Sequence, residues 1–114
     1  MTIRNQVQLI GHVGGTPEIR ELENDSVFVK FSLATNESYK NSQGLWVNNT
    51  EWHQVIAWGN TARRIFQLVD KGSELALQGK ITNRSWVDTE GIKRYNTEIV
   101  LKEFTILNKR ESVA

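Results

Sequence analysis

The chain has 114 residues, 39% of them hydrophobic, with four tryptophans and no cysteine. That length holds one cored domain and is short for two, and the missing cysteines exclude a disulfide scaffold or a thiolate metal site. A net charge of +1 is weaker than the basic balance that announces a nucleic-acid partner by itself. The charge is nevertheless polarised along the chain. Lys80, Arg84, Lys93, Arg94, Lys102, Lys109 and Arg110 outnumber Asp88, Glu90, Glu98 and Glu103, whereas Glu18 to Asp25 holds four acids and only Arg20. The N-terminal MTIRNQVQLIGHVGG has neither the apolar region of a signal peptide nor the Arg- and Ser-rich character of a transit peptide. No run approaches membrane-spanning length, so a cytoplasmic protein is expected. The N-x-S/T triplets headed by Asn24, Asn36, Asn48 and Asn83 are then chance matches.

In chain order, Gln6 to Val13 alternates Val7, Leu9 and Gly11 against Gln6, Gln8 and Ile10, and Gly14, Gly15 and Pro17 end it, which predicts a first strand. These glycines lack the G-K-[ST] ending of a phosphate-cradling loop. Val27 to Leu33 predicts a second strand with Val27, Val29, Phe31 and Leu33 on its apolar face. The polar stretch Asn36 to Thr50, with Asn41, Ser42, Gln43 and Gly44 at its tip, reads as a long hairpin loop. TEWHQVIAWG, Thr50 to Gly59, is the third strand. Asn60 or Thr61 is placed to cap a helix of about three turns, with the stripe Ala62, Ile65, Phe66 and Val69 and an end at Gly72. Glu74 to Asn83 is a fourth strand whose polar-face parity continues through Arg84 and Trp86. Asp88, Thr89, Glu90 and Gly91 form a turn, and Lys93 to Leu107 is a long final strand with Tyr95, Thr97, Ile99 and Leu101 on one face. Three strands, one short helix between strands three and four, and a closing hairpin is the element order of an all-β, five-stranded Greek-key barrel of the oligonucleotide-binding (OB) fold. It occupies residues 1–107, leaving a short polar end at 108–114.

The third strand carries the sharpest functional signal. Alternation puts Trp52, Gln54, Ile56 and Trp58 on one face, with the two indoles about 20 Å apart at roughly 3.3 Å per residue. A core needs no such row, whereas a ligand of repeated flat units does, and single-stranded nucleic acid is the commonest such ligand. Catalysis has no comparable support. The histidines are His12 and His53, no H-E-x-x-H or H-x-x-x-H spacing exists, and no nucleophile joins Glu51 and His53. No enzyme, metal or cofactor is expected.

Five segments, VQLIGHVGGTPEIRE, VFVKFSLATNESY, TEWHQVIAWGNTA, KGSELALQGKITNRSW and GIKRYNTEIVLKEF, resemble the bacterial single-stranded DNA-binding protein family in order and spacing. The resemblance covers Val7 to Leu107. It implies a barrel that coats single-stranded DNA without sequence preference in replication, recombination and repair, as a homotetramer (or dimer) in the bacterial cytoplasm with the nucleoid. It assigns base stacking to Tyr39, Trp52, Trp58 and Trp86; stacking contributes roughly 1–3 kcal/mol per base without reading its identity. Trp46 has no clear counterpart and is a candidate fifth platform on the long loop. The phosphate candidates are Arg84, which shares Trp86's parity, with Lys80, Lys93 and Arg94 flanking the hairpin and Lys71 at a basic family position. Gln54, Asn60 and Ser85 are neutral where relatives often carry Arg or Lys, which predicts a shallow salt dependence.

The resemblance puts His53 near subunit contacts, and Ile10 with the Gln6 and Gln8 edge of the first strand is a plausible pairing surface. Relatives typically continue into a linker and an acidic peptide that recruits other proteins. No acidic run precedes the final residues here, which leaves two readings open: a short member that coats DNA without recruiting the usual partners, or a trimmed form of a longer chain. Three alternatives stay open at this level: a primosome component of the same barrel, a single-stranded RNA binder, and, from another class, an oligosaccharide-binding barrel that stacks sugars on Trp. A purely structural interaction module would leave Trp58 and Trp86 without a reason for exposure.

Overall fold

The computed structural model of the chain describes residues 4–108. Its elements are β1 (Val7–Val13), β2 (Glu18–Glu21), β3 (Val27–Lys40), β4 (Trp46–Trp58), α1 (Gly59–Leu68), β5 (Glu74–Val87) and β6 (Lys93–Ile106). Hydrogen bonding runs β1-β5-β6-β4-β3, and a short β1–β3 pairing at His12↔Ala34 and Val13↔Leu33 closes the circuit. All contacts are antiparallel except β4–β6, which pairs in parallel at Val55↔Ile99 and Ile56↔Val100. The five long strands therefore make a closed OB barrel, as the element order predicts. Its interior holds Val29, Phe31, Leu33, Val55, Ala57, Leu75, Leu77, Ile99 and Leu101, and α1 plugs one end with Ala62, Ile65 and Val69. Two close approaches fix the seams: a Cβ at Gly11 would collide with the Ala34 carbonyl, and one at Gly79 with the Val100 carbonyl.

Several elements differ from expectation. Asn36 to Thr50 is not a loop: β3 and β4 stay paired through thirteen rungs, from Phe28↔Trp58 to Lys40↔Trp46, and only Asn41 to Leu45 turn. A two-sided polar ribbon leaves no hydrophobic alternation to read, and its rungs are held by polar contacts such as Ser38 Oγ to Asn48 Oδ1 (2.5 Å) and Thr50 Oγ1 to Asn36 Oδ1 (2.6 Å). The β5–β6 ribbon likewise continues to Val87↔Lys93, so two arms project from the barrel. The four-residue β2 has no signature in the sequence, because Ile19 is its one apolar side chain; it pairs with β3 as a charged edge strand.

Helix α1 begins at Gly59, before Asn60 and Thr61, and no side chain caps it. Asn60 Oδ1 instead accepts from Arg63 Nη1 (3.3 Å). Its C-terminal cap is Val69, whose N–H donates to the Ile65 carbonyl, and Gly72 (φ 89°) belongs to the following turn. Phe66 is exposed, since a helix plugging a barrel end buries only the narrow stripe Ala62, Ile65 and Val69. In β6 the pairing skips a residue, from Gln78↔Glu103 to Gly79↔Leu101. This bulge at Lys102 switches the face parity, so that Leu101 and Phe104 both reach the core.

Candidate nucleic-acid interface

The unbroken β3–β4 ladder decides which side chains share a face. On β4, Trp46, Trp52 and Trp58 fall at one six-residue interval on the same face and are 72%, 60% and 46% exposed. Between them stand short side chains bonded across the rungs. Thr50 joins Asn36, Asn48 joins Ser38, and Gln54 Nε2 donates to Ser32 Oγ (3.2 Å). Ile56 shares the parity but is buried, flanked in register by Lys30 of β3 and Val100 of β6. Trp58 packs against Phe28 of the opposite rung with ring centroids 5.2 Å apart and planes at 41°, and Lys30 Nζ stands 5.9 Å over that Phe28 ring. Trp52 lies against Gly14, where a Cβ would run into its six-membered ring.

No residue on this face, on either strand, is acidic. Glu37 and Glu51 take the opposite face, together with Tyr39 and Val47. Tyr39 and Trp46 therefore stand on opposite faces of one arm, and the structure does not bring Tyr39 into the tryptophan row. Sequence reading named Trp46 as a candidate platform but not as the third member of that row, because it placed Trp46 in a loop; the repeated interval 46, 52, 58 was the available signal. It also passed over Phe28 and Lys30, which only the register places beside Trp58.

On the second arm Lys80, Arg84 and Trp86 share the outer face with Arg94 and Glu98, whereas Lys93 and Tyr95 share the other, with Lys93 Nζ 5.5 Å from the Tyr95 ring centre. The sequence-predicted cations thus split between two faces. Two of them have carboxylate partners. Arg84 Nε lies 3.6 Å from Oε1 of Glu98, which is only 5% exposed and also accepts from Asn96 Nδ2 (3.4 Å). Arg94 Nε donates to Asp88 Oδ2 (3.0 Å). The Ile92 backbone N–H, then the Arg94 guanidinium and the Glu90 N–H, hold the Asp88 carboxyl below its usual range.

Lys71 lies apart from both arms, exposed in the turn between α1 and β5. The neighbouring Gly72 N–H donates to the Val13 carbonyl (2.8 Å), one residue from the Gly14 beneath Trp52. His53 is half-buried, its Nε2 2.9 Å from Thr35 Oγ1. Gln6, Gln8 and Ile10 are exposed at β1, which pairs with β5 along Val7 to His12 but with β3 only at His12 and Val13. Among the described residues, no group of three His, Cys, Asp or Glu is arranged to hold a metal ion, and no helix is long and apolar enough to cross a membrane.

A closed five-stranded barrel with two arms and an exposed, acid-free aromatic face defines a protein of the oligonucleotide-binding class. The single-strand binding protein family matches residues 4–107, and the chain belongs to it. It is 41% identical over 109 residues to single-stranded DNA-binding protein 1 of Chlorobaculum tepidum, covering 95% of this chain and 67% of that one. Over 112 residues it is 38% identical to single-stranded DNA-binding protein 1 of Xylella fastidiosa, covering 97% and 82%. Among solved structures, the Plasmodium falciparum SSB complex with ssDNA superposes with a TM-score of 0.86 at 28% identity, covering 95% of this chain and 98% of that one. A deletion mutant of the single-stranded DNA binding protein from Thermus aquaticus shares the fold, with a TM-score of 0.80 at 24% identity over 93% of this chain and 51% of that one.

Proposed function

We propose that this protein coats single-stranded DNA without sequence preference, in replication, recombination and repair. The observation that carries the reading is the aromatic face of β4, where indoles stand exposed at a regular interval with no carboxylate among them. Bases stack on Trp52, Trp58 and Trp86, with Tyr39 contributing from the other face of its arm. Lys80, Arg84, Lys93, Arg94 and Lys71 attract the phosphates and release counterions. Arg84 and Arg94 already face Glu98 and Asp88, which supports a salt dependence shallower than five free cations would give. The relatives' names and the DNA-bound structural neighbour favour DNA over RNA or sugar as the ligand.

The family is a non-enzymatic DNA-binding family, and this chain performs no chemistry on the strand. It assembles with copies of itself, as a homotetramer in the family's usual manner. The β1 edge at Gln6, Gln8 and Ile10 and the neighbourhood of His53 are the contact surfaces, because β1 keeps one side of its backbone unpaired over most of its length. It works in the bacterial cytoplasm, at the nucleoid.

The test is a titration of intrinsic tryptophan fluorescence with oligo-dT at several salt concentrations beside a duplex of equal length. Quenching by the single strand that exceeds the duplex response and weakens with salt is the expected result. A neutral-sugar binder would show no quenching by oligo-dT, and sugar binding would ignore ionic strength.

A further inference from the structure

The three tryptophans of β4 share more than a face. Each interval is six residues on a ladder without a bulge, hence about 20 Å at 3.3 Å per residue. The rungs between Trp46 and Trp52 are Ser38 with Asn48 and Asn36 with Thr50, each closed on itself by a side-chain hydrogen bond. Short paired side chains lie low beside a protruding indole, and each pairing occupies the hydroxyl hydrogen and an amide oxygen of its rung. Trp46 is the most exposed of the three, although an isolated arm gains nothing by displaying an indole to water. The cation nearest along the face is Lys40, directly opposite Trp46 in the ladder, as Lys30 is beside Trp58. The two carboxylates of this arm, Glu37 and Glu51, are on the reverse face, so the row presents aromatic and cationic groups to a polyanion and no repulsion.

We infer that Trp46 is a third base-stacking platform in register with Trp52 and Trp58, so that one unpaired strand runs the length of β4 and out along the first arm. The inference rests on the single-strand reading and adds a path to it. At the 3.4 Å rise of stacked bases one interval holds at most about six nucleotides, and fewer if the strand is stretched. The arm therefore lengthens the segment that one subunit covers without altering the barrel site.

The experiment compares wild type, Trp46→Ala, Trp46→Phe and Trp52→Ala in binding a length series of oligo-dT. Trp46 is exposed on the arm and is not part of the core, so its variants should keep the wild-type melting temperature. Short oligonucleotides should bind wild type and Trp46→Ala alike. Beyond the length that reaches the arm, wild type should gain affinity by roughly 5- to 150-fold, and Trp46→Ala should not. Trp46→Phe should recover most of that gain, whereas Trp52→Ala should lose affinity at every length. If Trp46→Ala and wild type stop gaining affinity at the same length, the inference is overturned while single-strand binding stands. If wild type binds no length, both fail together.

Discussion

The two arms are built on the same turn and put to different use. Asn41-Ser42-Gln43-Gly44-Leu45 and Asp88-Thr89-Glu90-Gly91-Ile92 each close a hairpin with the first residue's N–H donating to the fifth residue's carbonyl. In each, the first side chain's Oδ1 accepts from the third and fifth N–H groups, at 2.9–3.0 Å. In each, glycine holds the fourth position, at φ 78° and 79°, a conformation other residues adopt only at a cost. The difference is one atom in the capping side chain. Asn41 is neutral, whereas Asp88 keeps a second oxygen that binds Arg94. The strands behind each turn keep that character. The first arm has amide and hydroxyl rungs beside Trp46, in line with Trp52 and Trp58 on the barrel, and the second carries Arg84, Arg94 and Glu98 on the face of Trp86 with Lys93 on the other. In the proposed function stacking dominates the first arm and charge the second, and salt separates the two contributions because only phosphate binding releases counterions.

The largest effect should come from the stacking side. Trp52→Ala removes a platform held over Gly14, and affinity for oligo-dT should fall by about 1–3 kcal/mol. Plotted against the logarithm of salt concentration, the variant and wild-type lines should be parallel. A change of slope in Trp52→Ala would mean that the indole positions a phosphate contact, and the division between the arms would be wrong.

A smaller effect should come from Glu98. This buried carboxylate stands on the outer face of β6 beside Arg84, where it partly cancels a cation offered to the strand. Glu98→Gln keeps the shape and can keep the hydrogen bond from Asn96. We expect tighter binding at low salt and a slope steeper by up to about 0.7, the increment for one more neutralised phosphate on a single strand. Weaker binding at an unchanged melting temperature would show that Glu98 orients Arg84 more than it neutralises it.

The legibility of these features in the sequence divides along the same line. The barrel strands were readable because one face of each is buried, which imposes a period of two; Val29, Phe31 and Leu33 or Leu75 and Leu77 announce their strands. Asp88 to Gly91 was readable because turn chemistry is local. The first arm was not, because both its faces are wet and nothing in Asn36 to Thr50 alternates in hydrophobicity. Its strand pairing depends on a ladder that starts inside the barrel and simply does not stop. Register was equally out of reach, and with it the placement of Tyr39 and Lys93 on faces away from Trp46 and Trp86. The bulge at Lys102 hid for a related reason: Phe104 and Leu101 are both apolar, but only the β5 partner reveals that their parity has switched.

The smallest effect separates the two turns by pH. Interactions with the Ile92 N–H and Arg94 favour the ionised carboxyl of Asp88, so its folded-state pKa lies below the unfolded value of about 3.9. A group with a depressed folded pKa adds stability above its unfolded pKa and loses it as pH falls through the folded one. Asp88→Asn retains an oxygen for the Glu90 and Ile92 N–H groups and gives up the charge, which makes the second turn chemically equivalent to the first. Urea midpoints of wild type and Asp88→Asn should therefore differ slightly at pH 7, with wild type more stable, and converge as pH drops below about 4. High salt should narrow the gap at pH 7, since the pair with Arg94 is exposed on the cation's side. The reverse exchange, Asn41→Asp, keeps the Gln43 and Leu45 N–H donors but has no arginine to meet in the first arm, so it should add less stability at pH 7 than the Asp88 charge does. It should instead weaken oligo-dT binding, because it sets a carboxylate at the tip of an arm whose outer face carries none. If Asn41→Asp left binding untouched while Trp46→Ala shortened the covered segment, the strand would have to leave the arm before its tip.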